Sequence, residues 1–149
     1  MTPDYSRYQY LSILCDSGIA TLMLNQAENR NAIHAEMHAE LEHVWLDLQA
    51  DPQVNVIVLT GAGKIFSAGG DIKRMVNRFG TEEAWRFALA TPASTKRLFQ
   101  NILEVEKPII AAINGDAVGL GATLALFADS TVISETAKFG DSHVKVGLV

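Results

Sequence analysis

The residues best suited to chemistry lie in two glycine-rich turns, Ser67-Ala68-Gly69-Gly70-Asp71 and Gly119-Leu120-Gly121. Glycine lets a backbone bend sharply and lets a ligand approach its amides with no side chain in the way. Each turn lies between an apolar run and a helical pattern, and the start of a helix leaves backbone N–H groups unpaired. Such a junction binds an anion, or an oxygen that becomes one. Two junctions directed at one oxygen would form an oxyanion hole. The plainer alternative is that the glycines only permit tight turns. The occurrence of two similar junctions in one small chain favours function.

Other glycine motifs match poorly. After Gly119 and Gly121, Leu124 occupies the place where a dinucleotide fingerprint needs Gly or Ala. Gly63-Lys64 lacks the upstream glycine of a P-loop, and Ile65 replaces its Ser or Thr. The same Ile65 excludes a nucleophile elbow around Ser67.

Among titratable groups, His143 follows Asp141 by two residues in the polar stretch after Phe139-Gly140. An imidazole can act as a general base near neutral pH; the alternative for His143 is a surface histidine. His34 and His38 are four apart on one predicted helix face, where a solvated face is expected rather than a metal site. His43 is expected at the surface, and the lone Cys15 is expected as a buried strand residue. Trp45 and Trp85 are expected in the core or in a subunit contact. Lys73, Arg74 and Arg78 are expected on an exposed helix face, the alternative being contact with ligand phosphates.

Elements must position these residues. Strands are expected over 10–15 and 19–25 around the turn Asp16-Ser17-Gly18. A helix is expected over 35–49, because Met37, Leu41, Val44, Trp45 and Leu48 form one apolar stripe. The run 54–60, rich in β-branched residues, reads as a strand buried on both faces. Thr81 caps a helix expected to stop near Leu89, where Thr91-Pro92 interrupts it, with a further helical stretch to about Val105. Strands over 109–113 and 131–134 flank a small-residue helix over 122–128. Strands alternating with helices define an α/β layer fold. The unit strand, glycine-rich turn, helix occurs twice.

The chain has 149 residues, one domain's worth, with 12 Lys plus Arg against 17 Asp plus Glu and a formal net charge of −5. The acidic balance argues against a general nucleic-acid or anionic-membrane binder. No apolar run approaches the ~20 residues of a membrane span. A single cysteine excludes an intrachain disulfide and makes the cytoplasm the expected compartment.

Five motifs occur in order: Asn29-Arg30-Asn31-Ala32-Ile33, Val56-Ile57-Val58-Leu59-Thr60-Gly61, Phe66-Ser67-Ala68-Gly69-Gly70-Asp71-Ile72, Lys107-Pro108-Ile109-Ile110-Ala111-Ala112-Ile113-Asn114-Gly115 and Ala117-Val118-Gly119-Leu120-Gly121. Together they resemble the crotonase (enoyl-CoA hydratase/isomerase) superfamily over nearly the whole chain. The resemblance implies a spiral of repeated strand–strand–helix turns, a coenzyme A thioester substrate and a stabilised enolate. It implies oxyanion donors at the Gly70 and Leu120 amides. It implies that Ala68, Asp71 and Ile72 line the adenine and pantetheine, with Arg30 and Ala32 on the other side of the CoA tail and Gly119 also at the substrate. No metal and no cofactor beyond substrate CoA are expected, and a trimer or hexamer is expected for a full-length member.

The resemblance breaks at two positions. Hydratases of the family carry two glutamates that handle water, and here Thr123 and His143 occupy the matching places. Hydration needs a base for water and an acid for the α-carbon, and threonine does not titrate near neutral pH. The expected function is enoyl-CoA hydratase/isomerase-type chemistry, with Thr123 and His143 in the catalytic positions. The alternatives are a carbon–carbon hydrolase of the β-diketone hydrolase type, which uses a histidine–carboxylate arrangement, and a non-catalytic acyl-CoA-binding member. Residues 1–149 are expected to be the N-terminal portion of one crotonase-like domain. The apolar stretch 144–149 reads like the interior of a fold, so a longer protein or a completing polypeptide is expected, and with it a carboxylate partner for His143.

Overall fold

The computed structural model describes residues 2–147; the last two residues of the apolar stretch 144–149 fall outside the described residues. β1 (Leu11–Asp16) and β2 (Ile19–Leu24) form an antiparallel hairpin. Its two-residue turn, Ser17 and Gly18, has positive φ at both positions, the geometry that matches strand twist. α1 (Ala35–Ala50), β3 (Val56–Gly61), α2 (Ile72–Arg78) and α3 (Glu82–Leu103) follow. β4 (Ile109–Ile113), β5 (Ala117–Val118), α4 (Leu120–Leu126), β6 (Ser130–Ile133) and β7 (Phe139–Gly140) complete the order, before a short 3-10 turn at His143–Val146.

The main sheet has the order β1-β2-β3-β4-β6, parallel from β2 onward. A second, smaller layer runs alongside it. Parallel bridges join Ile33 to Gly70 and Ser67 to Ala117, and β5 pairs with β7. Four successive units thus share one plan: a long strand in the first sheet, a short extended segment in the second layer, then a helical start. They are β2–Ile33–α1, β3–Ser67 to Gly70–α2, β4–β5–α4 and β6–β7–His143. The strand, glycine-rich turn and helix read twice in the sequence are the second and third of these four units.

One core holds the layers together. Leu22, Leu24, Ile57, Leu59, Ala111 and Ile113 from the sheet join Met37, Leu41, Trp45 and Leu48 of α1 and Leu98 and Ile102 of α3. Each Leu, Ile and Met side chain among them contributes roughly 1.5–3 kcal/mol when fully buried. The α1 stripe is as expected.

Several expectations are corrected. β3 alternates between buried and half-buried residues instead of being buried on both faces, because Ile57 and Leu59 face the core while Val56, Val58 and Thr60 face the other way. α3 runs unbroken through Pro92. The pairing of α3 with α1 beyond the proline overrides the local break: Leu98 and Ile102 are buried, Arg97 Nε donates to Glu42 at 2.8 Å, and Asn101 Nδ2 donates to the Glu42 carbonyl at 2.6 Å. Cys15 is exposed, since it lies on the edge strand β1. Trp85 is 67% exposed on α3, so of its two expected places the core is excluded and the subunit contact stands. His34 is buried at the N-cap of α1, and His38 is half-buried against α3 rather than solvated. His43 is exposed, as expected.

Candidate active site

The repeat places a helical start at the same step of each unit, and the site residues occupy those starts. Asp71 caps α2, its carboxylate accepting from the Arg74 N–H at 3.0 Å, and Gly119 caps α4. Ser142 occupies the corresponding place before His143. The segments holding Gly70, Leu120 and His143 therefore come together in successive units, Gly69 against the Leu120 amide and Gly119 against the His143 ring, although 50 and 23 residues separate the three in sequence.

The two glycine turns are pressed together. Gly69 has φ +83°, and a Cβ on it would fall 2.5 Å from the Val118 carbonyl oxygen and 3.4 Å from the Leu120 amide nitrogen. Only glycine fits both the dihedral and the space. Across the contact, Val118 N donates to Ser67 O at 3.0 Å, and Ser67 N donates to Asp116 O at 3.1 Å. Among the described residues, neither the Gly70 nor the Leu120 amide donates to a protein acceptor. Leu120 begins α4, so its N–H has no partner within the helix.

His143 closes the third side. A Cβ on Gly119 would lie 3.8 Å from His143 Nε2 and 3.7 Å from Ser142 Oγ. The Gly119 amide donates to Gly140 O at 3.0 Å and ties this segment to the second turn. His143 Nδ1 lies 2.5 Å from Asp141 Oδ1, and the same oxygen accepts the His143 backbone N–H at 2.9 Å. Thr123 is also at the second turn, but its hydroxyl donates to the Gly119 carbonyl at 3.1 Å. That bond uses the proton of a group that does not titrate near neutral pH.

The expected substrate strip is only partly assembled as a set of free groups. Ala68 is half-buried and its amide donates to Arg30 O at 3.0 Å, so the Arg30 loop and the first glycine turn are joined. Ala32 is buried beneath them, and Ile72 is exposed at the start of α2. The Asp71 carboxylate also accepts from Asn29 Nδ2 at 3.2 Å, so it serves the protein's own scaffold. Of the three cations after the first turn, Arg74 donates to Glu36 at 2.9 Å, Arg78 faces Glu83 at 3.2 Å, and Lys73 is exposed.

Two positioning residues escape a reading based on reactive groups. The Asn31 side chain is fully buried at a positive φ. It donates to Ala62 O at 2.9 Å and Ile65 O at 2.7 Å and accepts from Gln26 N at 2.9 Å, fixing the chain that leads into the first turn. Asn114 does the same ahead of the second turn, donating to Gly61 O and Gly63 O at 2.9 Å each. Their signal in the sequence is membership of the motifs Asn29 to Ile33 and Lys107 to Gly115.

An apolar cavity of about 500 Å³ opens between α1, α2 and α3. Ile33, Asp71, Met75, Phe79, Phe87 and Pro92 contribute to its wall. Gly70 and Leu120 are outside that wall, but a Cβ on Gly70 would lie 3.3 Å from Met75 Cε, so the cavity begins beside the first turn.

The layered spiral and the paired glycine turns define a crotonase-type fold, and the comparisons agree. The chain belongs to the enoyl-CoA hydratase/isomerase family, whose profile matches residues 15–149. A Thermus thermophilus relative, provisionally named an enoyl-CoA hydratase, is 44% identical over 133 residues, covering 88% of this chain and 51% of its own length. The 1,2-epoxyphenylacetyl-CoA isomerase of Escherichia coli is 35% identical over 134 residues, covering 90% and 51%. The crystal structure of an enoyl-CoA hydratase/isomerase from Mycobacterium paratuberculosis superposes with a TM-score of 0.87 at 32% identity, covering 97% of this chain and 57% of that one. The chain spans about half the length of the curated relatives it matches. Among the described residues, no helix is long and apolar enough to cross a membrane.

Proposed function

We propose that this chain carries the thioester-activating half of an acyl-CoA enzyme. The Gly70 and Leu120 amides hold the thioester oxygen as it becomes an enolate, and His143 moves the proton. The observation that carries the reading is the contact between the two turns: Gly69 brings the first turn against the Leu120 amide, and both donors are left without protein acceptors. Donors fixed in advance stabilise developing charge without reorganising during reaction, and one such donor is worth about 10²–10³ in rate. The acyl group extends from that oxygen past Met75 into the apolar cavity, while the CoA tail follows Ala68, Ile72 and the Arg30 loop.

With Thr123 bonded to Gly119 O, His143 is the titratable group that faces the second turn. One base that takes a proton and returns it suits isomerisation of an enoyl thioester better than carboxylate-pair hydration. The His143–Asp141 contact favours a second reading, hydrolysis of a carbon–carbon bond in a β-diketone, where the base activates water. Crotonyl-CoA hydration, 3-enoyl-CoA isomerisation and cyclic β-diketone cleavage, measured on one preparation, separate the readings. The proposal expects turnover of a CoA thioester that His143→Ala lowers at least ~100-fold and that Thr123→Ala leaves within about threefold. Thioester turnover unaffected by His143→Ala overturns the site assignment. Acyl-CoA binding without turnover on any of these substrates assigns a binding role instead. The trimer or hexamer of a full-length member is part of the same proposal, as is the absence of any cofactor beyond substrate CoA.

A further inference from the structure

We infer that the cavity between α1, α2 and α3 selects a hydrocarbon acyl group, alkyl or aryl, that is larger than a crotonyl chain and free of polar substituents; this rests on the thioester reading above. The cavity holds about 500 Å³. Sites of about 300–1,000 Å³ enclose most of a drug-sized ligand, so a crotonyl group would leave much of this one unfilled. Its entrance lies at the first glycine turn, where Met75 Cε stands 3.3 Å from the place that a Cβ on Gly70 would take. An acyl group whose thioester oxygen rests on the Gly70 amide therefore meets the Met75 side chain first. That side chain is unbranched and its thioether is soft, so it can turn aside for a chain or a ring. Beyond it, Phe79 at the end of α2 and Ala84, Phe87, Ala88 and Pro92 along α3 present carbon to the space.

The polar side chains on that wall are already engaged by the protein. Asp71 accepts from the Arg74 N–H at 3.0 Å and from Asn29 Nδ2 at 3.2 Å. Arg74 donates to Glu36 at 2.9 Å, and Arg78 faces Glu83 at 3.2 Å. The Thr91 hydroxyl donates to the Phe87 carbonyl at 2.8 Å. His34 Nδ1 lies 2.7 Å from Glu36 Oε2; its Nε2 has no partner, but the side chain is 1% exposed and that nitrogen is covered by protein atoms. A carboxylate or hydroxyl on the acyl group would have to displace one of these contacts or lie unpaired against carbon, and either costs affinity. A hydrocarbon group meets no such cost. It gains about two- to fourfold in affinity for each methylene taken out of water.

Isothermal titration calorimetry on the full 149-residue chain tests this without requiring turnover. The probes are butyryl-CoA, octanoyl-CoA and phenylacetyl-CoA, with suberyl-CoA as an octanoyl chain that ends in a carboxylate. Octanoyl-CoA or phenylacetyl-CoA should bind at least ~15-fold more tightly than butyryl-CoA, and whichever binds better assigns a chain or a ring. Suberyl-CoA should bind at least ~10-fold more weakly than octanoyl-CoA. Ala88→Trp fills the cavity from α3 and should bring the octanoyl-to-butyryl ratio to within about threefold, with circular dichroism as in the unsubstituted chain. Ala84→Phe serves the same purpose if Ala88→Trp does not fold. Equal affinities for the butyryl, octanoyl and phenylacetyl thioesters, or tightest binding of suberyl-CoA, overturn the inference and leave the thioester reading in place. The apolar fluorophore 1-aminoanthracene probes the cavity without CoA. If it binds and Ala88→Trp abolishes that binding while no thioester binds, the preference for hydrocarbon is supported and the thioester reading is what fails. Binding of neither the fluorophore nor any thioester overturns both.

Discussion

Gly121 of α4 rests on Ser67 of the first glycine turn so closely that a Cβ added to Gly121 would fall 2.5 Å from the Ser67 Cβ. Ser67 has no room to retreat. Its hydroxyl donates to Asn31 O at 2.8 Å and accepts the Gly69 N–H at 3.1 Å. Gly121→Ala should therefore push the two turns apart. Overpacking of this kind costs about 1–3 kcal/mol, or roughly 2–12 °C in Tm for a chain of this size. Thermal unfolding followed by circular dichroism measures it. Ser67→Gly in the Gly121→Ala background should recover part of the loss, and a Gly121→Ala protein with unchanged Tm would refute the close packing.

The Leu120 amide can be removed without unmaking the helix that starts there. Leu120 is the first residue of α4, a position where proline is well accommodated because no intrahelical N–H bond is lost. Leu120→Pro should lower thioester turnover by about 10²–10³, the worth of one oxyanion donor. Leu120→Ala controls for the lost side chain, since it keeps the N–H and should retain most of the rate. Equal losses in the two variants would transfer the effect from the amide to the leucine side chain.

Local chemistry accounts for what was legible in the sequence. The strand expected over 54–60 forms at Val56–Gly61 and that over 109–113 forms as expected, and these, the Thr81 cap and both glycine turns depend on near neighbours. The two glycine turns are marked directly by glycine and apolar-run spacing, whereas the choice of the Gly70 and Leu120 amides within them rests on the family resemblance. Contacts between distant segments were not legible. His34 and His38 share a helix face that would be solvated on an isolated helix, but α3 covers His38 through Ser94, 56 residues away, while the Tyr10 ring stacks edge-on against His34 at 4.4 Å. The His143–Asp141 contact spans only two residues, yet it is a local side-chain-to-backbone turn that no hydrophobic periodicity signals.

Pro92 tests the same distinction energetically. It has no N–H for the Ala88 carbonyl, and proline in a helix interior costs about 3 kcal/mol. α3 nevertheless continues through it, held by Leu98, Ile102 and the Glu42 contacts. Pro92→Ala restores the missing bond in a frame that is already helical. Stability should rise by about 1–3 kcal/mol, with Tm up by a few degrees. A lower Tm would mean that the proline ring contributes more through the cavity wall than it costs the helix.

Between α1 and α3 the polar cluster of His38, Glu42, Ser94 and Arg97 should make folding stability depend on acid. Burial pushes the His38 imidazole below its ordinary 6.5, and the nearby Glu42 only partly opposes this. Burial alone would raise Glu42, but the Ser94 hydroxyl and the Arg97 guanidinium hold it below the ordinary 4.5. Both groups bind protons more readily in the unfolded chain, so stability rises with pH across each window. The His38 contribution is complete above about 6.5 and is lost as pH falls through its lowered folded value; that of Glu42 is complete above about 4.5 and is lost below it. Tm should therefore fall in two stages between pH 7 and pH 3. His38→Gln should flatten the upper stage and leave the lower one. Glu42→Gln should remove the lower stage while reducing Tm at neutral pH, because the Arg97 and Ser94 contacts lose their charge partner. A Tm profile for His38→Gln parallel to that of the unsubstituted chain would show that the half-buried imidazole does not set the upper stage.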